Sequence, residues 1–238
     1  MFKCQERAAT VAGPGAASPQ RVRLHGTPQL EDLAPLIFLS GQHPGIENDK
    51  CETLGSDGEH GLAFRDLQSS IYGIAKAFQF RGRMYDFGSG VGLVAALFAA
   101  AGFYSYGREI RHEAAQRAAK YLSTDWFKDI TRARVHLAHG DCFDLSGDFY
   151  STLDVWYLYP SSGMTPRVVS LYNKHGAPDS ALIMRRNGEL REGLHTHLHS
   201  ETIRGANAFD PGFCIAGKNL HVVQRIAECI KDMNGSSC

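Results

Sequence analysis

What this chain of 238 residues lacks narrows it first. It carries no net charge, because 25 Lys and Arg residues balance 25 Asp and Glu. No global field gathers polyanions or an anionic membrane, so the balance argues against nucleic acid as a partner and leaves only local patches open. Paired cysteine motifs are also missing. Cys4, Cys51, Cys142, Cys214, Cys229 and Cys238 are scattered, without a C-x-x-C step or a compact framework. That argues for reduced thiols in a cytoplasmic, reducing compartment, and against disulfides or a structural zinc site. There is no apolar run of membrane-spanning length, since Leu93 to Gly102 is too short. A soluble protein without a membrane partner is expected.

What is present is enough apolar material for one core, 43% of the residues, which points to one α/β domain with appendages. The chain is organised around Met84-Tyr85-Asp86-Phe87-Gly88-Ser89-Gly90-Val91-Gly92, an apolar strand ending in three glycines that run into a helix from Leu93 to Ala101. Glycines there permit a tight turn, close approach of a ligand, and close packing of helix on strand. The helix that follows offers unpaired N–H groups and the positive end of its dipole. A dinucleotide loop is spaced G-x-G-x-x-G; this one is compressed to G-x-G-x-G, with Asp86 two residues before Gly88.

Two further acids follow in register. Phe103 to Ile110 is expected to be a second strand closing on Glu109, placed to accept hydrogen bonds from ribose hydroxyls. Glu109 could equally favour the start of a helix over Arg111 to Ser123. His139-Gly140-Asp141-Cys142-Phe143-Asp144 follows an apolar-alternating run, Ala133 to Leu137, and taken alone its Gly-Asp pair is an ordinary turn.

The form D-x-G-x-G-x-G, with the later acids in order, resembles the class I S-adenosylmethionine-dependent methyltransferases. The resemblance implies an α/β fold: a seven-stranded, mostly parallel Rossmann-like sheet with one antiparallel strand and helices on both faces. It implies S-adenosyl-L-methionine as cofactor. By the same resemblance Asp86, Gly88, Ser89, Gly90 and Gly92 hold the methionine part, Glu109 the ribose, and Asp141 with Cys142 the adenine. Tyr72-Gly73 upstream is similar to a step in the non-SET protein lysine methyltransferases, which makes a lysine acceptor an alternative and Tyr72 a substrate-side candidate.

Thr152 to Pro160 is expected as a buried strand, and ligands of open α/β sheets bind at strand carboxyl ends. Tyr159 and Pro160 are thus the acceptor-side candidates. Tyr159 is also the catalytic one, as hydrogen-bond partner or aromatic wall beside a cation. Asp154 lies at the wrong end of that strand and is expected to be structural. Leu158-Tyr159-Pro160-Ser161 departs from the Asn/Asp-Pro-Pro-Tyr/Phe step of the nucleobase N-methylases, so a small-molecule or protein acceptor is expected. His195-Thr196-His197-Leu198-His199 could turn three imidazoles to one side of a strand, yet it falls in a connection of this fold and no metal is expected. A nicotinamide-dependent oxidoreductase and a non-catalytic methyltransferase-like binding subunit are the rival classes.

The chain divides by composition. Residues 1–25, rich in Ala, Gly, Pro and Ser, are expected to be a flexible tail rather than a transit peptide. Residues 26–80 form a helical and loop extension over the cofactor site: a short helix at 28–39 broken at Pro35, a turn-rich loop at 41–61, and a helix over Phe64 to Phe80 with Leu67, Ile71, Ile74 and Phe78 on one side. Residues 81–230 are the cofactor-binding domain. It includes a helix at Pro166 to His175, a strand at Ser180 to Arg185, and Leu220 to Ile226 as the final antiparallel strand. Residues 231–238 are a C-terminal tail.

Overall fold

The computed structural model describes residues 27–34, 36, 57–159, 163–185, 198–203 and 212–235. Seven strands form its centre: β1 (Arg83–Phe87), β2 (Tyr104–Glu109), β3 (Val135–His139), β4 (Val155–Leu158), β5 (Ala181–Arg185), β6 (His199–Ile203) and β7 (Phe213–Gly217). Their order is β3-β2-β1-β4-β5-β7-β6. Only β7 runs against its neighbours, pairing antiparallel with both β5 and β6. The order reverses between β1 and β4, and at such a switch point the helices leave to opposite sides and open a crevice at the strand ends.

Alternation along each strand sorts the core into two layers. Met84, Val155, Tyr157, Ile183 and Ile215 face one side, whereas Tyr85, Phe87, Trp156, Leu182 and Met184 face the other. On the first side lie α1 (Asp57–Ala77), α2 (Leu93–Ala100), α3 (His112–Ser123), α4 (Asp125–Thr131) and α7 (Leu220–Gly235). On the second lie α5 (Gly147–Ser151) and α6 (Met164–His175). Every residue of α2 is buried, as an all-apolar helix requires when it sits between a sheet and another helix. Asp154 caps the start of the sheet: its Oδ2 accepts the Arg83 amide at 2.8 Å, the structural role expected for it.

The segment Leu220 to Ile226, expected as a strand, is the first half of α7. Val222, Val223, Ile226, Ala227 and Ile230 are all buried, a spacing with helical period, and the antiparallel strand is Phe213–Gly217 instead. The helix also continues to Gly235, through part of the expected tail. At the other end, α1 begins at Asp57, so the last residues of the expected 41–61 loop are helical. Leu67, Ile71 and Ile74 of α1 are buried in the same cluster as Val223 and Ile226, and a methyl group at Gly73 would strike the α7 backbone at Cys229 and Ile230, 2.9 Å away. Packing is therefore continuous across residue 80. The expected short helix at 28–39 is a single 3₁₀ turn whose Leu33 and Leu36 are buried; residues 35 and 37–39, most of the 41–61 loop, His195, His197 and both chain ends lie outside the described residues. No helix among the described residues is long and apolar enough to cross a membrane.

Candidate functional site

The glycine turn leads from the carboxyl end of β1 into α2 and is hydrogen-bonded to the carboxyl end of β2. Gly88, Gly90 and Gly92 have φ of 76, 56 and 89°, a region closed to most side chains. At Gly92 the restriction is also steric, because a Cβ there would stand 2.3 Å from Leu137 Cδ1. The turn lies on β2: the Ser89 amide donates to the Arg108 carbonyl at 3.1 Å, and a Cβ at Gly107 would meet Ser89 Cβ at 2.6 Å. Gly92 begins α2 without any side-chain cap, so no side chain at Gly92 takes up the first amides of the helix.

Two carboxyls flank this turn. Glu109 closes β2, 4% exposed; its Oε2 accepts the Gly90 amide at 2.8 Å, and its Oε1 accepts the amide and Nε of Arg111, both at 2.9 Å. It thus ties the turn to the second strand, with lone-pair capacity left on Oε2. Asp86 is 2% exposed and its Oδ2 has no hydrogen-bond partner. Burial, and then the nearby Glu109 charge, push its pKa up to about 8, so at neutral pH it holds a proton. Ser89 Oγ is a second buried atom without a partner. Buried polar atoms are rarely left unpaired, and two together beside a glycine turn fit a ligand that donates hydrogen bonds or carries positive charge.

The third component is the turn after β3. Asp141 is exposed, and its Oδ1 accepts the Phe143 amide at 2.9 Å. Cys142 is buried, and its carbonyl accepts hydrogen bonds from Tyr85 Oη at 3.1 Å and Tyr150 Oη at 2.7 Å. Burial, with Asp141 beside it, pushes the Cys142 thiol up to about 11, which removes it as a thiolate nucleophile. The residues assigned to methionine, ribose and adenine therefore converge on one rim, formed by the ends of β1, β2 and β3.

Tyr159 directly follows β4 and is half-buried, at the same end of the sheet. Pro160 lies outside the described residues. Tyr72 stands elsewhere. Its Oη donates to the Pro28 carbonyl at 2.9 Å and its ring packs 5.1 Å from Phe80, beside the entry to β1 rather than its exit.

Several residues at the rim were not apparent in the sequence. Ile110, just beyond Glu109, is 68% exposed, and an apolar residue following a strand-end acid was the available signal. Met164, at the start of α6, brings its Cε to 3.5 Å from where a Cβ at Gly88 would lie. Arg167, one turn further, holds its guanidinium 3.8 Å from the centre of the Phe143 ring. Those two contacts depend on tertiary packing and have no local signature. Beside Glu109 a cavity of about 210 Å³ opens between α3 and the β2–β3 pair, with Ser89, His112, Gln116, Leu137 and His139 in its wall.

No protein-family model matches the chain, and no curated protein matches it in sequence. Solved structures do match in fold. A glutamate-to-glutamine mutant of MtNAS in complex with S-adenosylmethionine aligns at a TM-score of 0.50 and 15% identity, over 79% of this chain and 70% of that one. An RNA methyltransferase from Salinibacter ruber in complex with S-adenosyl-L-homocysteine aligns at 0.44 and 17% identity, over 61% and 86%. A methyltransferase from Geobacter sulfurreducens aligns at 0.45 and 15%, over 65% and 79%. Strand order and the MtNAS likeness together show the fold: the chain has the Rossmann-like sheet of class I methyltransferases.

Proposed function

We propose that this chain is an S-adenosylmethionine-dependent methyltransferase acting on a small-molecule or protein side-chain acceptor. The observation that carries the reading is Asp86, a buried carboxyl with an unpartnered oxygen, standing beside a glycine turn. An ammonium or sulfonium draws the proton off this carboxyl and pairs with the carboxylate left behind, a form that would repel a dinucleotide pyrophosphate. The MtNAS structure similar to this one was solved with S-adenosylmethionine, which agrees with that preference.

The cofactor brings a methyl group already activated on a sulfonium, so the protein has mainly to align the partners and exclude water. Asp86 and the amides of the turn hold the charged end. Glu109 Oε2 takes a ribose hydroxyl. Asp141 and the Cys142 amide hold the adenine edge, against the exposed apolar surface of Ile110. Tyr159 borders the acceptor, and a base is needed only where the acceptor must lose a proton. The lysine-directed alternative rests on Tyr72-Gly73; Tyr72 is bound to the Pro28 carbonyl and Gly73 is packed on α7, contacts that favour the broader acceptor class.

Isothermal titration with S-adenosylhomocysteine tests the reading. Binding is expected, with release of about one proton per ligand near pH 7 as the ammonium displaces the Asp86 proton, seen by comparing buffers of different ionisation enthalpy. Glu109→Ala is expected to weaken binding by about tenfold or more, the loss of a charged acceptor being worth about 1.5–3 kcal/mol per hydrogen bond. Absence of binding to the folded protein would overturn the assignment.

A further inference from the structure

The second side of the sheet is covered unevenly. Over β4 and β5 it is packed by α6, and Tyr85 and Phe87 of β1 are buried beneath α5. Over β2 the cover is partial, Phe149 of α5 packing edge-on against the half-buried Tyr106 at 5.4 Å, and over β3 no described helix lies against it, since α3 packs on the opposite side. The strand register places the uncovered residues in rows. Arg83 pairs with Tyr104, and Arg134 follows on the next strand; Tyr106 pairs with His136; Arg108 pairs with Ala138.

These rows interleave cations and rings. The Arg134 guanidinium lies 5.3 Å from the Tyr104 ring, which is itself 44% exposed. Tyr106 stacks on His136 at 5.2 Å with 20° between the planes, and Arg83 lies 5.3 Å from Tyr106 and 5.9 Å from Phe149 of α5. No strand position on this side of β1, β2 or β3 carries a carboxylate. Two acids come near: Asp144, 3.7 Å from Arg108, and the half-buried Asp154, whose Oδ2 accepts the Arg83 amide. In a chain with equal numbers of acids and bases, three arginines on one sheet face, of which Arg108 at the rim is paired with Asp144, are a local excess of positive charge. The face runs about 13 Å along β2 and about 10 Å across the strands. It ends at the candidate site, where Arg108 donates to the carbonyls of Asp144 at 2.8 Å and Asp141 at 3.4 Å.

We infer that this open face of β2 and β3 docks a single-stranded nucleic acid. Charge complementarity selects a polyanion, and the flat rings select one whose repeating units stack. Sheet faces carrying aromatics between basic residues bind single strands in this way, with guanidiniums on phosphates and rings on bases. An acidic polypeptide satisfies the arginines but has no use for the rings. The inference does not depend on the methyl-transfer reading.

Fluorescence anisotropy of the full chain with labelled oligouridylate and oligothymidylate of about 12 nucleotides tests it, with polyglutamate of similar length as competitor. Binding to at least one strand is expected, with log K falling against log salt at a slope of about −2, three phosphates at about 0.7 each. Tyr104→Ala and His136→Ala should each weaken binding about fivefold or more, and Arg134→Gln should flatten the salt slope. Thermal midpoints and S-adenosylhomocysteine titration establish that the variants remain folded, so a failure here is distinct from a failure of the cofactor assignment. No binding, affinities unmoved in all three folded variants, or displacement by polyglutamate as effective as by unlabelled strand would overturn the proposal.

Discussion

Asp86 is the residue on which structure and chemistry meet most directly. Its carboxyl is held at about 8 by burial and by Glu109, against an ordinary value of 3.8. A carboxyl harder to ionise folded than unfolded contributes its stability fully below the ordinary value and loses it as pH rises through the folded value. The ligand-free protein should therefore weaken between about pH 4 and pH 8, by at most about 1.4 kcal/mol per pH unit from this group. Urea unfolding at pH 5 and pH 8 measures the effect. Asp86→Asn should remove most of the difference and stabilise the protein at pH 8 while weakening ligand binding, the trade expected where a site is kept strained for function. A variant with the full pH dependence would assign the titration to other groups. The position of this residue was legible because its motif is local: Asp86 and three glycines within seven residues. Its missing partner was not, because the nearby Glu109 carboxylate is already committed to Gly90 and Arg111, a pairing set by the parallel register of β1 and β2.

Among the elements, α7 shows how a sequence reading goes astray. Val222 and Val223 beside polar neighbours resemble an alternating strand, but the buried set extends through Ile226, Ala227 and Ile230, and only a helix presents all five on one side. A start signal was present too: Asn219 Oδ1 accepts the His221 amide at 3.0 Å, as an N-terminal cap does. The true antiparallel strand, Phe-Cys-Ile-Ala-Gly at 213–217, is short and buried throughout, and a run of that kind has no period to distinguish strand from buried helix. Ile226 is fully buried against the layer that contains α1. Ile226→Ala should cost about 2–5 kcal/mol, read as a lower urea midpoint with unchanged slope. A cost below about 1 kcal/mol, the range of surface substitutions, would mean that α7 is peripheral.

At the scale of the molecule, a mostly parallel sheet followed from the alternation of elements after a glycine turn, because parallel strands need helical crossovers, almost always right-handed. Coverage did not follow. α5 has only five residues, too few to reach across β2 and β3, and a short helix leaves little periodic signal. The arrangement predicts a gradient of protection against hydrogen exchange. Amides of β1, β4 and β5, buried on both sides with strands on either flank, should exchange slowest, and those of the edge strands β3 and β6 fastest. Mass spectrometry of peptic fragments would read this order; protection of β3 equal to that of β1 would show that its edge is covered.

The packing of α1 on α7 has a consequence for how the chain is made. Elements near the amino end usually fold first as synthesis proceeds, yet Leu67, Ile71 and Ile74 of α1 are buried in a cluster that includes Val223, Ile226 and Ile230, residues translated well after them. While the ribosome is still reading the intervening strands, α1 lacks the part of its cover that α7 supplies. That contact can close only once α7 has left the exit tunnel.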